Sequence, residues 1–406
     1  MNAKEMMKIL EENAYTRTSG TEKELRCARY IQDYCRRFGL QPQLWPFTVP
    51  MAEIQEAELT VDGVSVPCTG YLGAGDWDVE APLYYLRHTD ARSLEKCRGK
   101  IVLLDTVVGY WKYQDLVEHG ALGYITCNGT IYSEDRDIDQ KEQRAFVHKG
   151  NRMPAVNIHA ADAIEIVRRQ GKTARIHLKQ KQWQGQSHNV ILDIPGEVED
   201  YIAITAHYDT THLSIGPYDN MSGAVGLLYL AEYFARNKPR FGLRFIWCGS
   251  EERGLLGAKA YCADENNVKN CILNINLDMI GSLMGRFISC VTGGERLSGY
   301  LECLSSELDF QNDVYRDVYS SDSTPFADKN IPAVSFARIS PRTMSGYHDR
   351  FDTLNCMSGE QMEQDFEFVL AFAKRMAMAK HCPFPREMPE DMRSKLDHYL
   401  GIKRAK

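Results

Sequence analysis

Apolar positions recur at two different spacings along the chain, and the change of spacing divides it. Near the start, Leu25, Ala28, Ile31, Cys35 and Phe38 repeat at helical spacing. Thr21-x-x-Glu24 ahead of them is a capping-box pattern, and Gly39 supplies the stop. From about residue 46 to 186 the runs become short and β-rich. Segments 100–104, 122–127 and 154–158 predict strands there, and 111–119 predicts one short helix. From residue 187 the order is strand, loop, helix, repeated. The runs 201–205, 243–248, 271–277 and 333–336 are almost continuously apolar, as strands buried on both faces of a parallel sheet are. Between them Ala224, Leu227, Leu228, Ala231 and Phe234 line one helix face. Met362, Phe366, Val369, Phe372 and Met376 line another.

This alternation predicts an α/β fold: a central mixed, mostly parallel sheet flanked by helices, with a smaller β-rich domain inserted. The expected parts are 1–45 and 187–380 for the main domain, 46–186 for the insertion, and 381–406 for a tail with a candidate short helix. A chain of 406 residues with 44% apolar and 25% charged residues can bury a large core without a metal or disulfide staple. The net charge of −7 argues against a nucleic-acid partner reached through phosphate contacts and against a basic membrane surface.

None of the 12 cysteines is spaced C-x-x-C. Cys248 and Cys290 sit in apolar strand runs, and Cys27 and Cys35 on the first helix, all read as inert core thiols. A reduced, cytoplasmic protein is therefore expected. The opening MNAKEMMKIL carries Lys4 and Lys8 but no apolar stretch of the kind a signal peptide needs, and no run approaches a membrane span.

Potential metal ligands fall just past the ends of the apolar runs. His207 and Asp209 follow 201–205, Glu251 and Glu252 follow 243–248, and Asp278 follows 271–277. Asp219 precedes the helix that starts near Asn220, and His348 lies in a loop beyond 333–336. His212 fits no role and is read as loop. Taken singly, a His-x-Asp, an adjacent Glu pair or an Asp after a strand is an ordinary surface or turn feature. Taken together they lie where open α/β sheets place their ligand crevice. Mixed imidazole and carboxylate donors favour Zn, Mn or Co over Mg or Ca.

At this point the residues resemble a known family. Ala206-His-Tyr-Asp-Thr210, Tyr218-Asp-Asn-Met-Ser-Gly223, Ser250-Glu-Glu-Arg-Gly-Leu-Leu-Gly257, Asn276-Leu-Asp-Met-Ile-Gly281 and Tyr347-His-Asp-Arg-Phe-Asp-Thr353 resemble the zinc-dependent exopeptidases of metallopeptidase family twenty-eight. That family includes bacterial leucyl-type aminopeptidases and glutamate carboxypeptidase. Softer matches are Asn189-Val-Ile, Ser321-Asp-Ser-Thr-Pro-Phe326 and Arg17-Thr-Ser-Gly-Thr21. Gly99-Lys-Ile-Val-Leu103 and His119-Gly-Ala-Leu-Gly-Tyr-Ile125 resemble a protease-associated domain, expected to limit entry to short or extended peptides.

The resemblance implies two Zn²⁺ ions, with Co or Mn as substitutes. His207, Asp219 and Asp278 would hold one zinc. Glu252, His348 and the second oxygen of Asp219 would hold the other. Asp209 would orient His207, Glu251 would be the general base toward the attacking water, and Tyr347 would help hold the carbonyl oxygen. The implied activity is hydrolysis of terminal peptide bonds, an aminopeptidase first, with peptides as partners and a homo-oligomer neither required nor excluded. The alternatives are a carboxypeptidase or dipeptidase with Arg338 and Arg342 near the substrate carboxylate, a glutaminyl cyclase-like enzyme using one zinc, and a non-catalytic binding protein.

Overall fold

The four apolar runs become the strands Val198–His207, Phe241–Cys248, Cys271–Leu277 and Ala333–Ile339 of a computed structural model, which describes residues 1–132, 134–341 and 344–404. They pair in parallel in the order Ala333–Ile339, Cys271–Leu277, Val198–His207, Phe241–Cys248. Antiparallel neighbours close both sides. Arg286–Thr292 pairs with Ala333–Ile339, and the end of the strand Thr173–Ile194 pairs with Phe241–Cys248. Because successive side chains point to opposite faces, Ile202, Ile204 and Ala206 enter one core while Ala203 enters another. The first core is covered by the helices Ala3–Glu12, Glu22–Arg36, Ser222–Arg236 and Gly359–Met378, and the second by Leu256–Ala263. Trp247, Phe245, Phe336 and Phe366 are fully buried, and each such side chain contributes roughly 1.5–3 kcal/mol through the apolar surface it withdraws from water.

The chain divides into two units, Met1–Val49 with Gln186–Lys406, and Pro50–Gly185. It enters the second in the course of the strand Gln43–Val61 and leaves it in the course of Thr173–Ile194. The second unit has its own core of Ile101, Val102, Leu103, Tyr124, Ile125, Val156 and their neighbours. Its strands Trp77–Tyr85, Ile101–Leu103, Gly123–Asn128 and Ala155–His159 are parallel in that order, and Cys68–Gly70 is antiparallel at the edge.

Two local features differ from the sequence reading. Thr21 caps its helix as expected, accepting the Glu24 N–H at 3.3 Å, but the Glu24 carboxylate turns away from the Thr21 N–H toward other partners. The helix Ala3–Glu12 was not read from the pattern. Only Met6, Ile9 and Leu10 of it are buried, and Lys4, Glu5, Glu11 and Glu12 flank this short apolar set on both sides. The tail does contain a helix, Glu390–Tyr399. All 12 cysteines are free thiols, with Cys27, Cys35, Cys248 and Cys290 buried. No helix among the described residues is long and apolar enough to cross a membrane.

Candidate metal centre

The candidate ligands converge at the carboxyl ends of the parallel strands. His207 is the last residue of its strand, and Asp278 follows Cys271–Leu277 directly, its N–H bonded to the Phe336 carbonyl at 3.0 Å. Asp219 lies in the turn Pro217–Met221 that feeds the helix Ser222–Arg236. Past Phe241–Cys248 the chain is irregular, with Ser250 and Leu255 at φ of 58° and 63°. That irregular path lets the adjacent residues Glu251 and Glu252 present their carboxylates in different directions. His348 is in the loop after Ala333–Ile339, at φ 62°.

Two triads of donor atoms form, His207 with Asp219 and Asp278, and Asp219 with Glu252 and His348, the atoms of each lying within 4.8 Å of one another. Asp219 belongs to both. Its Oδ1 is 3.2 Å from His207 Nε2 and its Oδ2 is 3.0 Å from His348 Nε2. His207 Nε2 is also 3.5 Å from Asp278 Oδ1, and His348 Nε2 is 3.0 Å from Glu252 Oε2. Glu251 Oε2 stands 4.0 Å from His207 Nε2.

The electrostatics of this cluster call for cations. Asp209, Asp219, Glu251, Asp278 and Asp322 are all buried, and among the described residues the imidazoles in this cluster are His207 and His348. Buried carboxylates without compensating charge are costly. Burial pushes the Glu251 carboxyl well above its usual value; His207 offsets part of that, and the neighbouring Glu252, Asp322 and Asp278 add to it. Burial alone would lower the His207 imidazole, yet Glu251, Asp209, Asp219 and Asp278 drive it well above its usual value. Burial also works against the Asp219 charge, but His207 and His348 hold that carboxyl below its ordinary range. Asp278 Oδ1 is buried with no hydrogen-bond partner among the described residues. A mixed set of two imidazoles and three carboxylates with an orphaned oxygen fits a borderline cation such as zinc.

A second ring of contacts fixes these groups. Asp209 accepts the N–H of Glu251 at 2.9 Å and of Glu252 at 3.2 Å, and its Oδ1 is 3.5 Å from His207 Nδ1. It therefore braces the glutamate turn as well as facing the histidine, a role the sequence did not suggest. Three more residues were missed. Asn220 accepts the N–H of Met279 at 3.1 Å and donates to the Leu277 carbonyl at 2.9 Å, gripping the turn that carries Asp278. Asp352 accepts from the backbone of Tyr218 and Asp219. Tyr319 Oη is buried with no hydrogen-bond partner among the described residues. Asp352 and Tyr319 could have been marked only by lying in or beside quoted motifs. Tyr347 packs its ring edge-on to His348 with centroids 5.1 Å apart. His212 is exposed in a loop.

Arg338 is engaged elsewhere. Its guanidinium grips the buried Asp365 at 2.6–3.1 Å and donates to the Gly285 carbonyl at 3.0 Å. Arg342 lies outside the described residues.

Residues 189–373 match peptidase family M28. The chain is 26% identical over 389 residues to Aminopeptidase YwaD of Bacillus subtilis, covering 89% of this chain and 81% of that protein. A shorter stretch of 97 residues is 35% identical to leucine aminopeptidase 2 of Trichophyton rubrum, 23% of this chain and 20% of that one. Among solved structures, an aminopeptidase from Aneurinibacillus sp. strain AM-1 shares the fold at TM-score 0.76 and 24% identity, over 95% of this chain and 96% of its own. BSAP, a zinc aminopeptidase from Bacillus subtilis, shares it at TM-score 0.76 and 23% identity, over 96% and 98%.

Proposed function

From a chain whose residues 189–373 match peptidase family M28, we propose a co-catalytic di-zinc exopeptidase that releases residues from the free N-terminus of peptides. The observation that carries the reading is Asp219, whose two oxygens face His207 and His348 in triads completed by Asp278 and Glu252. In this reading His207, Asp219 and Asp278 hold one zinc, and Asp219, Glu252 and His348 the other. Zinc bound there supplies a Lewis acid for the scissile carbonyl and brings the pKa of water to about 7.

The chain's own groups do the rest. Glu251 takes the proton from the attacking water and delivers it to the departing amine nitrogen, so one water is consumed and the proton count balances. Asp209 fixes the backbone N–H of Glu251 and faces His207 Nδ1, setting the ring orientation. Tyr347, beside His348, donates its phenol to the carbonyl oxygen as that atom gains charge. The N-terminal direction is supported by the Bacillus subtilis relative, an aminopeptidase by name. It is supported also by Arg338, whose charge is met by Asp365 and not left for a substrate carboxylate. We read the insertion Pro50–Gly185 as a protease-associated-like domain that restricts peptide length. Excising it is expected to shift the length preference, and an unchanged preference overturns that part.

The test is mass spectrometry of defined peptides incubated with the zinc-supplemented protein. Stepwise loss from free N-termini with acetylated peptides spared is the expected result. Loss from C-termini, or no cleavage with zinc bound, overturns it.

A further inference from the structure

The segment from Arg17 to Glu24 takes no part in the reaction above, yet it is tied to both ligand-bearing loops. Arg17 is fully buried, and its guanidinium donates to backbone carbonyls. Nε donates to Tyr208 at 2.7 Å, one terminal nitrogen to Asn13, Tyr15 and Ile215 at 2.5–2.9 Å, and the other to Gly216 at 3.0 Å. Its backbone N–H bonds Thr210 Oγ1 at 2.9 Å, and its carbonyl accepts the Thr210 N–H at 3.3 Å. One side chain therefore grips both ends of the loop that runs from His207 and Asp209 to Asp219. The fit is close. Gly216 sits at φ 61°, and a Cβ there would lie 2.7 Å from Arg17 Nη2 and 2.3 Å from Thr210 Cγ2.

Glu24, 1% exposed, grips the other loop. Its Oε1 accepts the Ser250 N–H at 3.0 Å, the Ser250 hydroxyl at 3.1 Å and the Ser187 hydroxyl at 2.8 Å. Its Oε2 accepts the Gly20 N–H at 2.7 Å. Ser19 Oγ adds a 2.6 Å contact to Ser250 Oγ. Ser250 is the left-handed residue immediately before Glu251 and Glu252. A buried guanidinium and a buried carboxylate, each spent on backbone and hydroxyl groups of the ligand loops, are expensive devices for ordinary packing.

We propose that Arg17 and Glu24 are positioning residues of the metal centre. Arg17 sets the path of 208–216 and with it the spacing of His207 and Asp219. Glu24 sets the Ser250 turn and with it the aim of Glu251 and Glu252. The consequence for zinc rests on the reading above; the consequence for loop order does not.

The test uses the full chain as Arg17→Lys, Glu24→Ala and Glu24→Gln. Arg17→Lys and Glu24→Ala are expected to weaken zinc binding by about 10–100-fold in competition with a chromogenic chelator, as loss of groups behind metal ligands does. Glu24→Gln retains the Oε1 acceptor for Ser187 and Ser250, gives up the Gly20 bond, and is expected to lie nearer the wild-type affinity than Glu24→Ala does. Amide hydrogen exchange on the metal-free chain reads the loops directly. It should quicken in 206–221 for Arg17→Lys and in 248–256 for Glu24→Ala, and stay as in the wild type outside those loops, the 13–24 segment and the neighbourhood of Ser187. Should Arg17→Lys fail to fold, the Glu24 pair decides. Wild-type exchange in these segments, a rise spread over the whole chain, or a Gln variant as weak as Ala overturns the proposal. A wild-type chain that takes no zinc overturns only the function above, and exchange then decides this inference alone.

Discussion

The carboxylate of Asp352 accepts the backbone N–H of Asp219 at 3.1 Å, so one acidic residue, itself fully buried, sits behind the carboxylate shared by both triads. It also accepts the Tyr218 N–H at 2.9 Å and the Ser214 hydroxyl at 3.0 Å. Since Asp352 is close in sequence to His348, it ties the His348 loop to the Asp219 turn. Asp352→Asn puts an amide nitrogen against these donors. Zinc affinity and kcat/KM are each expected to fall about 10–100-fold. Unchanged zinc binding in a chelator titration would reject the role.

Glu251 and His207 should separate chemistry from metal retention. Glu251→Gln is expected to keep its zinc and lose about 10²–10⁴-fold in kcat, the usual worth of a general base. His207→Ala is expected to lose zinc by elemental analysis. A fully active Glu251→Gln or a zinc-replete His207→Ala would sink the corresponding assignment.

Tyr347→Phe removes one donor and keeps the ring against His348. With the phenol aimed at a developing oxyanion, kcat should drop about 10²–10³-fold while KM stays near the wild-type value. A rise in KM alone, with kcat unchanged, would place the phenol in substrate binding instead.

Arg338→Leu should act on stability and leave the direction of cleavage unchanged. Asp365 is fully buried, and the substitution removes the guanidinium that is its counter-ion among the described residues. Breaking such a pair costs about 3–5 kcal/mol, measurable by urea unfolding. A variant of normal stability that stops cutting would instead restore Arg338 as a substrate contact.

The metal-free chain should lose stability as pH rises. Burial, then the charge of Asp209, raises the Glu24 carboxyl from 4.5 to about 8. Between those values the folded chain keeps a proton that the unfolded chain releases. Its contribution is therefore complete below about pH 4.5 and lost as pH climbs through about 8. Glu24→Gln removes the titration, so its stability should decline less steeply across that window. Equal slopes for wild type and variant, from urea midpoints at a series of pH values, would refute this.

What could be read from the sequence was whatever couples a fixed chemistry to a fixed place. Two histidines and the carboxylates near them stand just past apolar runs, and such runs are strands whichever way the loops turn. Residues that act on backbone atoms were not legible. Asp352, Asn220 and Arg17 gain their roles only from the courses of loops distant in sequence, and nothing in their neighbours' polarity marks those courses. The strand Gln43–Val61 escaped because Pro46 and Pro50 interrupt it and its burial alternates only in part. The fate of Arg338 was open because its partner Asp365 lies on a helix face that reads simply as polar.

The clasp formed by Arg17 and Glu24 spans separations of 191 residues to Tyr208 and 226 to Ser250. At a synthesis rate of about 5–20 residues per second, the clasp leaves the ribosome some ~10–45 s before what it must grasp. Long-range contacts of this kind form late, and His348 emerges later still. A nascent chain halted before His348 is therefore expected to be inert toward the peptides around it. Digestive power in this architecture begins only once the chain has grown past residue 348.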